Sequence, residues 1–193
     1  LTLLKQEKPN ALLLGNPGNG KTSIVHHLAY RIANELCPKE LVGFKVIEVN
    51  TNALLSGDGY RGVTEKKFDE MIQGVLKQGK VILFIDEFHT AENLGKMANG
   101  STPGLGNTLK PFLTRGDFRM IGATTLEEMG TIGDKALLRR FTKINVGELT
   151  ENPVKKIIEI CYKKYIGEHQ IKVDKKVIDR TYSLSLTLDG SNP

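Results

Sequence analysis

The sequence has no tryptophan, only two cysteines, and no wholly apolar run longer than Val81–Ile85. Each scarcity removes a class of protein. Cys37 and Cys161 show no metal-like spacing and no zinc-pattern histidines accompany them, so the sequence predicts neither a disulfide framework nor a metal-thiolate site. It points instead to a reducing compartment, the cytoplasm or a reduced organelle stroma or matrix. A bilayer span needs roughly 18 apolar residues in a row, so no membrane partner is expected. The start, Leu1-Thr2-Leu3-Leu4, lacks the charged and cleavage regions of a signal peptide. An excess of one charge is also missing: 27 Lys+Arg against 22 Asp+Glu leave +5, spread along the chain. Basic pairs such as Lys66-Lys67 and Lys163-Lys164 fall where helices are expected and read as solvated faces, which gives no sign of a nucleic-acid partner.

What is present is an ordinary globular composition, 39% hydrophobic and 25% charged over 193 residues, enough for one compact domain with a small appendage. With no initiating Met, a start that reads as the tail of a helix and an end in mid-turn at Ser191-Asn192-Pro193, the sequence is expected to be an excised piece of a longer chain. Short apolar runs rich in branched residues alternate with helix-period segments, which predicts an α/β fold with a mainly parallel, five-stranded, doubly wound sheet. The strand candidates are Ala11–Leu14, Val46–Asn50, Val81–Ile85, Arg119–Ala123 and Ile144–Val146. One helix is expected to follow the first strand and end at Cys37-Pro38, and a second to begin near Thr64 with Phe68, Met71, Ile72, Val75 and Leu76 as its buried stripe. The Gly-, Asn- and Ser-rich stretch Ala91–Gly106 is expected to be a mobile loop. After Val146 strands give way to helices, one capped by Thr150 or Asn152 and another starting near Asp174. The expected division is therefore an α/β core over 1–147 and a helical segment over 148–193.

Gly15-Asn16-Pro17-Gly18-Asn19-Gly20-Lys21-Thr22 matches G-x-x-x-x-G-K-[ST] and sits between an apolar strand and a helix, the context that gives the motif meaning. Glycines let backbone N–H groups turn inward around a di- or triphosphate, and the helix N-terminus adds partial positive charge. Lys21 would reach the outer phosphates and Thr22 would ligate Mg²⁺. Val81–Ile85 delivers Asp86 and Glu87 at its C-terminal end, the edge where parallel sheets bind ligands. Asp86 would hold Mg²⁺ through water, and Glu87 would orient and deprotonate the water attacking a γ-phosphate, which argues for ATP hydrolysis over transfer to another substrate. In Gly122-Ala123-Thr124-Thr125, Thr125 is the candidate for contacting that water or phosphate, and helix N-cap is its alternative role.

Taken with Asp86–Thr90, Leu109-Lys110-Pro111, Gly122–Leu126 and Ala136–Phe141, in this order, the chain resembles the first ATPase module of the Clp-type AAA+ unfoldases, the ClpA, ClpB and ClpC group. The resemblance spans about Leu12 to Val173. It implies a P-loop NTPase core over 1–147 and a truncated C-terminal helical lid over 148–193, with ATP and Mg²⁺ as ligands. It also implies a homo-oligomeric ring, usually a hexamer, that threads unfolded or aggregated polypeptide through a central pore, with a peptidase or co-chaperone as a further partner. Arg139 and Arg140 match the arginine pair that completes a neighbour's ATP site, where a guanidinium stabilises transition-state charge. Ser56–Gly62 looks like the substrate-gripping pore loop, with Tyr60 as its aromatic, although Asp58-Gly59 stands where relatives commonly carry a small residue and Lys. Leu138 likewise replaces a residue that is often acidic or small. The competing readings are an AAA+ ATPase of nucleic-acid metabolism, of clamp-loader or helicase-loader type, and a regulatory module that binds ATP and barely hydrolyses it.

Overall fold

The computed structural model describes residues 1–51, 61–93, 105–169, 174 and 176–188. The chain divides into two compact units, Leu1–Gly147 and Glu148–Pro193. The first is built on five parallel strands: β1 (Ala11–Leu14), β2 (Lys45–Glu48), β3 (Val81–Ile85), β4 (Arg119–Thr124) and β5 (Thr142–Asn145), in the order β2-β3-β4-β1-β5. Strand β4 therefore lies between β1 and β3. That placement brings together the C-terminal ends of three strands distant in sequence.

The apolar runs of β1 and β3 are explained by burial on both faces. Leu12, Leu14, Leu83 and Ile85 pack to one side, against Phe68, Ile72 and Val75 of α2 (Arg61–Gln78). Ala11, Leu13, Ile82 and Phe84 pack to the other, with Val25 and Ile32 of α1 (Lys21–Ala33). The edge strands differ. Strand β5 reads Thr-Lys-Ile-Asn and is largely exposed, and β2 is partly so. Their bounds consequently depart from the sequence expectation by one or two residues, because pairing with β1 and β3 defines them and apolar pattern does not.

Three short helices complete the side of the sheet that carries α2: α3 (Phe88–Asn93), α4 (Leu105–Leu113) and α5 (Leu126–Thr131). They are followed by α6 (Lys135–Leu138). The loop expected over 91–106 is thus corrected at both ends: residues 91–93 close α3, and α4 begins at Leu105. Helix α4 accommodates Pro111 near its C-terminus and buries Leu109, Phe112 and Leu113. Its apolar stripe outweighs the local glycine signal. Residues 94–104 lie outside those described, as does Tyr60 with residues 52–60 of its loop.

In the second unit, α7 (Glu151–His169) and α8 (Lys176–Leu188) are joined by Lys155, which pairs with Glu151 at 2.7 Å and Asp179 at 2.5 Å and lies over the Tyr182 ring. Helix α7 begins directly after Thr150, and two of its isoleucines stay open, Ile157 48% and Ile160 61% exposed.

A buried polar hinge ties the first unit together. The fully buried Asn10 amide donates to the carbonyls of Leu113 (3.0 Å) and Arg140 (3.3 Å), and its oxygen accepts from Met120 N–H at 3.1 Å. Asn10→Ala would strand three backbone groups in the interior, where each unsatisfied group costs roughly 1–3 kcal/mol. Chemical denaturation of this variant should show a loss of about 3 kcal/mol or more. A loss below about 0.5 kcal/mol, the range of ordinary surface changes, would show that water replaces the side chain at no cost.

Candidate active site

The phosphate loop rises from the end of β1 and closes on itself before entering α1. Gly18 and Gly20 adopt φ of +82° and +81°, a left-handed geometry that side chains resist and that aims successive N–H groups into a concavity. Close packing fixes the base of the loop. A Cβ on Gly15 would stand 2.4 Å from the Val146 carbonyl oxygen, and the Asn19 amide donates to that same oxygen at 2.9 Å. The loop is thereby fastened to the segment leaving β5. Lys21 folds back, donating from Nζ to the carbonyls of Gly15 (2.8 Å) and Asn16 (3.0 Å), two acceptors that phosphate oxygens can replace.

Thr22 then meets the end of β3. Its hydroxyl donates to Asp86 Oδ2 at 2.6 Å, while Asp86 Oδ1 accepts the Glu87 N–H at 2.9 Å. Glu87 itself holds φ of +47°, a left-handed conformation that costs an ordinary residue about 1–2 kcal/mol. The strain is held by Phe88, fully buried and edge-on to Phe141 at 5.1 Å, and by Thr90, whose N–H and hydroxyl both donate to the Glu87 carbonyl at 2.8 Å. As a result the Glu87 carboxylate stays exposed.

A cleft of 380 Å³ opens over these groups, lined by Pro17, Gly18, Gly20, Lys21, Thr22, Asp86, Glu87, Thr124, Thr125 and Glu128. Of the residues singled out from sequence, it gathers Pro17, Gly18, Gly20, Lys21 and Thr22 of the phosphate loop, both acids and Thr125, and it does not gather Gly15, Asn16 or Asn19. Thr125 is also the N-cap of α5, in a complete capping box: its hydroxyl accepts from Glu128 N–H at 3.1 Å, and Glu128 Oε2 accepts from Thr125 N–H at 2.9 Å. The same carboxylate takes the Thr124 hydroxyl at 3.1 Å and lies 3.3 Å from His89 Nδ1. The sequence reading missed Glu128 and His89. For Glu128 a signal existed, since Thr125-Leu126-Glu127-Glu128 is a T-x-x-E box.

Arg139 and Arg140 do not line this cleft. They follow α6, whose N-cap Asp134 accepts from Leu137 N–H at 3.0 Å and pairs with Lys110 of α4. Burial works against the Asp134 charge, but the Lys110 hydrogen bond and the Leu137 amide together hold its carboxyl below the usual range. Arg139 is exposed on a second cleft of 530 Å³ with Lys135, Leu138, Phe141 and Lys143. Arg140 donates from Nη1 to the Ala136 carbonyl at 2.5 Å and keeps a buried Nε with no hydrogen-bond partner among the described residues.

Residues 11–149 match the profile of the ATPase family associated with various cellular activities (AAA). The chain belongs to the AAA family. Within it the relatives are of the Clp type. The chaperone protein ClpB of Aquifex aeolicus (strain VF5) is 38% identical over 185 residues, 95% of this chain and 18% of that protein. The ATP-dependent Clp protease ATP-binding subunit ClpE of Streptococcus pneumoniae serotype 4 is 36% identical over 184 residues, 95% of this chain and 24% of that protein. A closed-state cryo-EM reconstruction of Hsp104 with ATPγS and FITC casein superposes with a TM-score of 0.78 at 34% identity, covering 91% of this chain and 30% of that one. The chain thus spans 18–24% of the length of such curated relatives. Membership in this family implies that the chain binds nucleotide. Among the described residues no helix is long and apolar enough to cross a membrane.

Hydrogen bonding by the Thr125 amide holds the Glu128 carboxyl below its ordinary pKa, with Thr124, Thr125 and His89 adding to the effect against a smaller cost of burial. A carboxyl depressed in the folded state contributes stability that is complete above its unfolded pKa of about 4.3 and is lost as pH falls through the folded value. The stability difference between the protein and its Glu128→Gln variant should therefore hold constant from about pH 7 to about pH 5 and shrink below about pH 4. Denaturation series at several pH values measure this. A difference already fading at about pH 6 would contradict the depressed carboxyl.

Proposed function

We propose that the chain is the ATP-hydrolysing motor module of a ring-shaped Clp-type protein unfoldase or disaggregase, working in a cytosol-like compartment. One observation carries the reading: Lys21, Thr22, Asp86, Glu87 and Thr125 converge on one cleft, while Arg139 sits outside it on another face of the same unit. A cleft whose described lining includes Lys21 and no arginine is completed by a neighbour's arginines.

Thr22 Oγ1 and Asp86 Oδ2, 2.6 Å apart at the floor of the cleft, are a hydroxyl and carboxylate set that suits a hard cation retaining several waters, so the residues fit Mg²⁺. When bound, Mg·ATP supplies the phosphoryl group to be transferred and the cation that neutralises its charge. Lys21 exchanges its two carbonyl partners for phosphate oxygens, and Gly18, Gly20 and the start of α1 present N–H groups to them. Glu87, exposed beside Asp86, accepts a proton from the attacking water at its carboxylate. Thr125, whose oxygen accepts the Glu128 N–H, turns its hydroxyl from the Glu128 carboxylate to that water or a phosphate oxygen. Arg139 and Arg140 act on the adjacent subunit's site in a homo-oligomer, usually a hexamer, so that turnover requires assembly. The Tyr60 loop grips unfolded or aggregated polypeptide, and the helical unit Glu148–Pro193 is part of a lid. Relatives whose names and titles include a chaperone, a protease subunit and an Hsp104 structure with casein support this assignment.

Subunit mixing tests the trans arrangement. In the full-length protein, Lys21→Ala and the double variant Arg139→Ala/Arg140→Ala should each lose ATPase by on the order of 100-fold or more. Mixed rings should regain activity at interfaces that pair an intact phosphate loop with intact arginines. If mixing restores nothing while rings still form, the arginines do not act in trans. Tyr60→Ala should hydrolyse ATP and fail to unfold a tagged substrate. Unimpaired unfolding by that variant removes the pore-loop assignment.

A further inference from the structure

We infer that Glu128 is a positioning residue for hydrolysis, fixing Thr125 and coupling it through His89 to the segment that carries Glu87. The inference rests on the catalytic reading of Thr125 given above. Its basis is the convergence on Glu128 Oε2 of groups from two elements: Thr125 N–H at 2.9 Å and the Thr124 hydroxyl at 3.1 Å from the end of β4, and His89 Nδ1 at 3.3 Å from α3. A helix cap needs the first of these only. The Thr124 hydroxyl adds a second link to β4, and His89 joins α5 to the helix that begins directly after Glu87.

Proton counting gives the network a direction. The Thr124 hydroxyl, 2% exposed, has one proton and donates it to Glu128, so towards His89 Nδ1 at 3.2 Å it presents a lone pair. The donor across that contact is then Nδ1–H, which fixes the ring's tautomer and turns it toward both Thr124 and Glu128. On the other side of the carboxylate, the Glu128 N–H occupies a lone pair of Thr125 Oγ1 at 3.1 Å, which fixes the position of that hydroxyl at the cleft. Glu128 also lines the cleft itself. Moving α3 relative to α5 would tilt the Thr125 hydroxyl and the Glu87 backbone together, so the two groups acting on the water move as one.

Steady-state ATPase of the full-length assembled protein tests this, with nucleotide affinity measured in parallel. Glu128→Ala should lower kcat on the order of tenfold with KM for ATP within about twofold, since a misplaced group costs turnover before it costs binding. Glu128→Gln, which keeps an oxygen for the Thr125 N–H, should recover most of the loss. Glu128→Ala added to Thr125→Ala should cost less than about twofold more, because both act through one hydroxyl. His89→Ala leaves the capping box intact and serves if Glu128→Ala does not fold; it should lower kcat several-fold at unchanged KM. Normal kcat in Glu128→Ala or His89→Ala, with Thr125→Ala slow, overturns the coupling and leaves the function standing. A rise in KM that tracks a fall in Tm also overturns it, showing a purely structural cap. Normal turnover in Thr125→Ala instead removes the catalytic reading of Thr125 itself.

Discussion

The hydrogen bond from Thr22 to Asp86, 2.6 Å long, is the constraint on which the site depends. It joins the first turn of α1 to the end of β3, two segments that the sheet does not make neighbours. Strands β1 and β3 are separated by β4, so the gap between them is about two strand spacings, roughly 9–10 Å. Side chains bridge that gap from both edges, and the end of β4 delivers Thr124 and Thr125 into its middle. A sheet in which β1 paired directly with β3 would have no room there for a phosphate chain and its water. The strand order is therefore a functional feature as much as a topological one.

Rigid packing beneath the cleft keeps this geometry from relaxing. The left-handed Glu87 is held by the buried Phe88, whose ring meets Phe141 at 5.1 Å, directly after the arginine pair. Asn10 meets the same region from below through the Arg140 carbonyl and reaches β4 through Met120. Through Phe141 and Phe88 the segment that carries the arginine pair is thus anchored to the end of β3, while Asn10 fastens it to the start of β4. A displacement at one is mechanically available to the other, which is what a subunit needs if it is to sense one site and serve the next.

Much of this was legible in the residues, and the reasons are physical. Strands β1 and β3 matched their expected bounds because burial on both faces writes itself as an unbroken apolar run. The phosphate loop and the Asp86-Glu87 pair were readable because each is a contiguous motif whose spatial neighbours are its sequence neighbours. Strand β5 was misplaced toward Ile144–Val146 because Thr142 and Lys143 belong to an exposed edge and are defined by pairing with Leu12 and the residues around it. Helix α4 was hidden by the glycines before it and by Pro111 inside it. The His89–Thr124–Glu128 cluster lay beyond sequence reasoning for a different reason: His89 is 35 residues from Thr124, and only the β3–β4 pairing register sets them side by side.

The most direct test of the central claim is the Mg²⁺ dependence of nucleotide binding, measured by equilibrium titration of ATP in the presence of Mg²⁺ or of a chelator. The intact protein should bind ATP at least about tenfold more tightly with Mg²⁺, a difference of about 1.4 kcal/mol, and both Thr22→Val and Asp86→Asn should lose that difference while still folding. Undiminished Mg²⁺ dependence in both variants would contradict the account, because the paired hydroxyl and carboxylate would then not be the cradle on which the rest of the site is arranged.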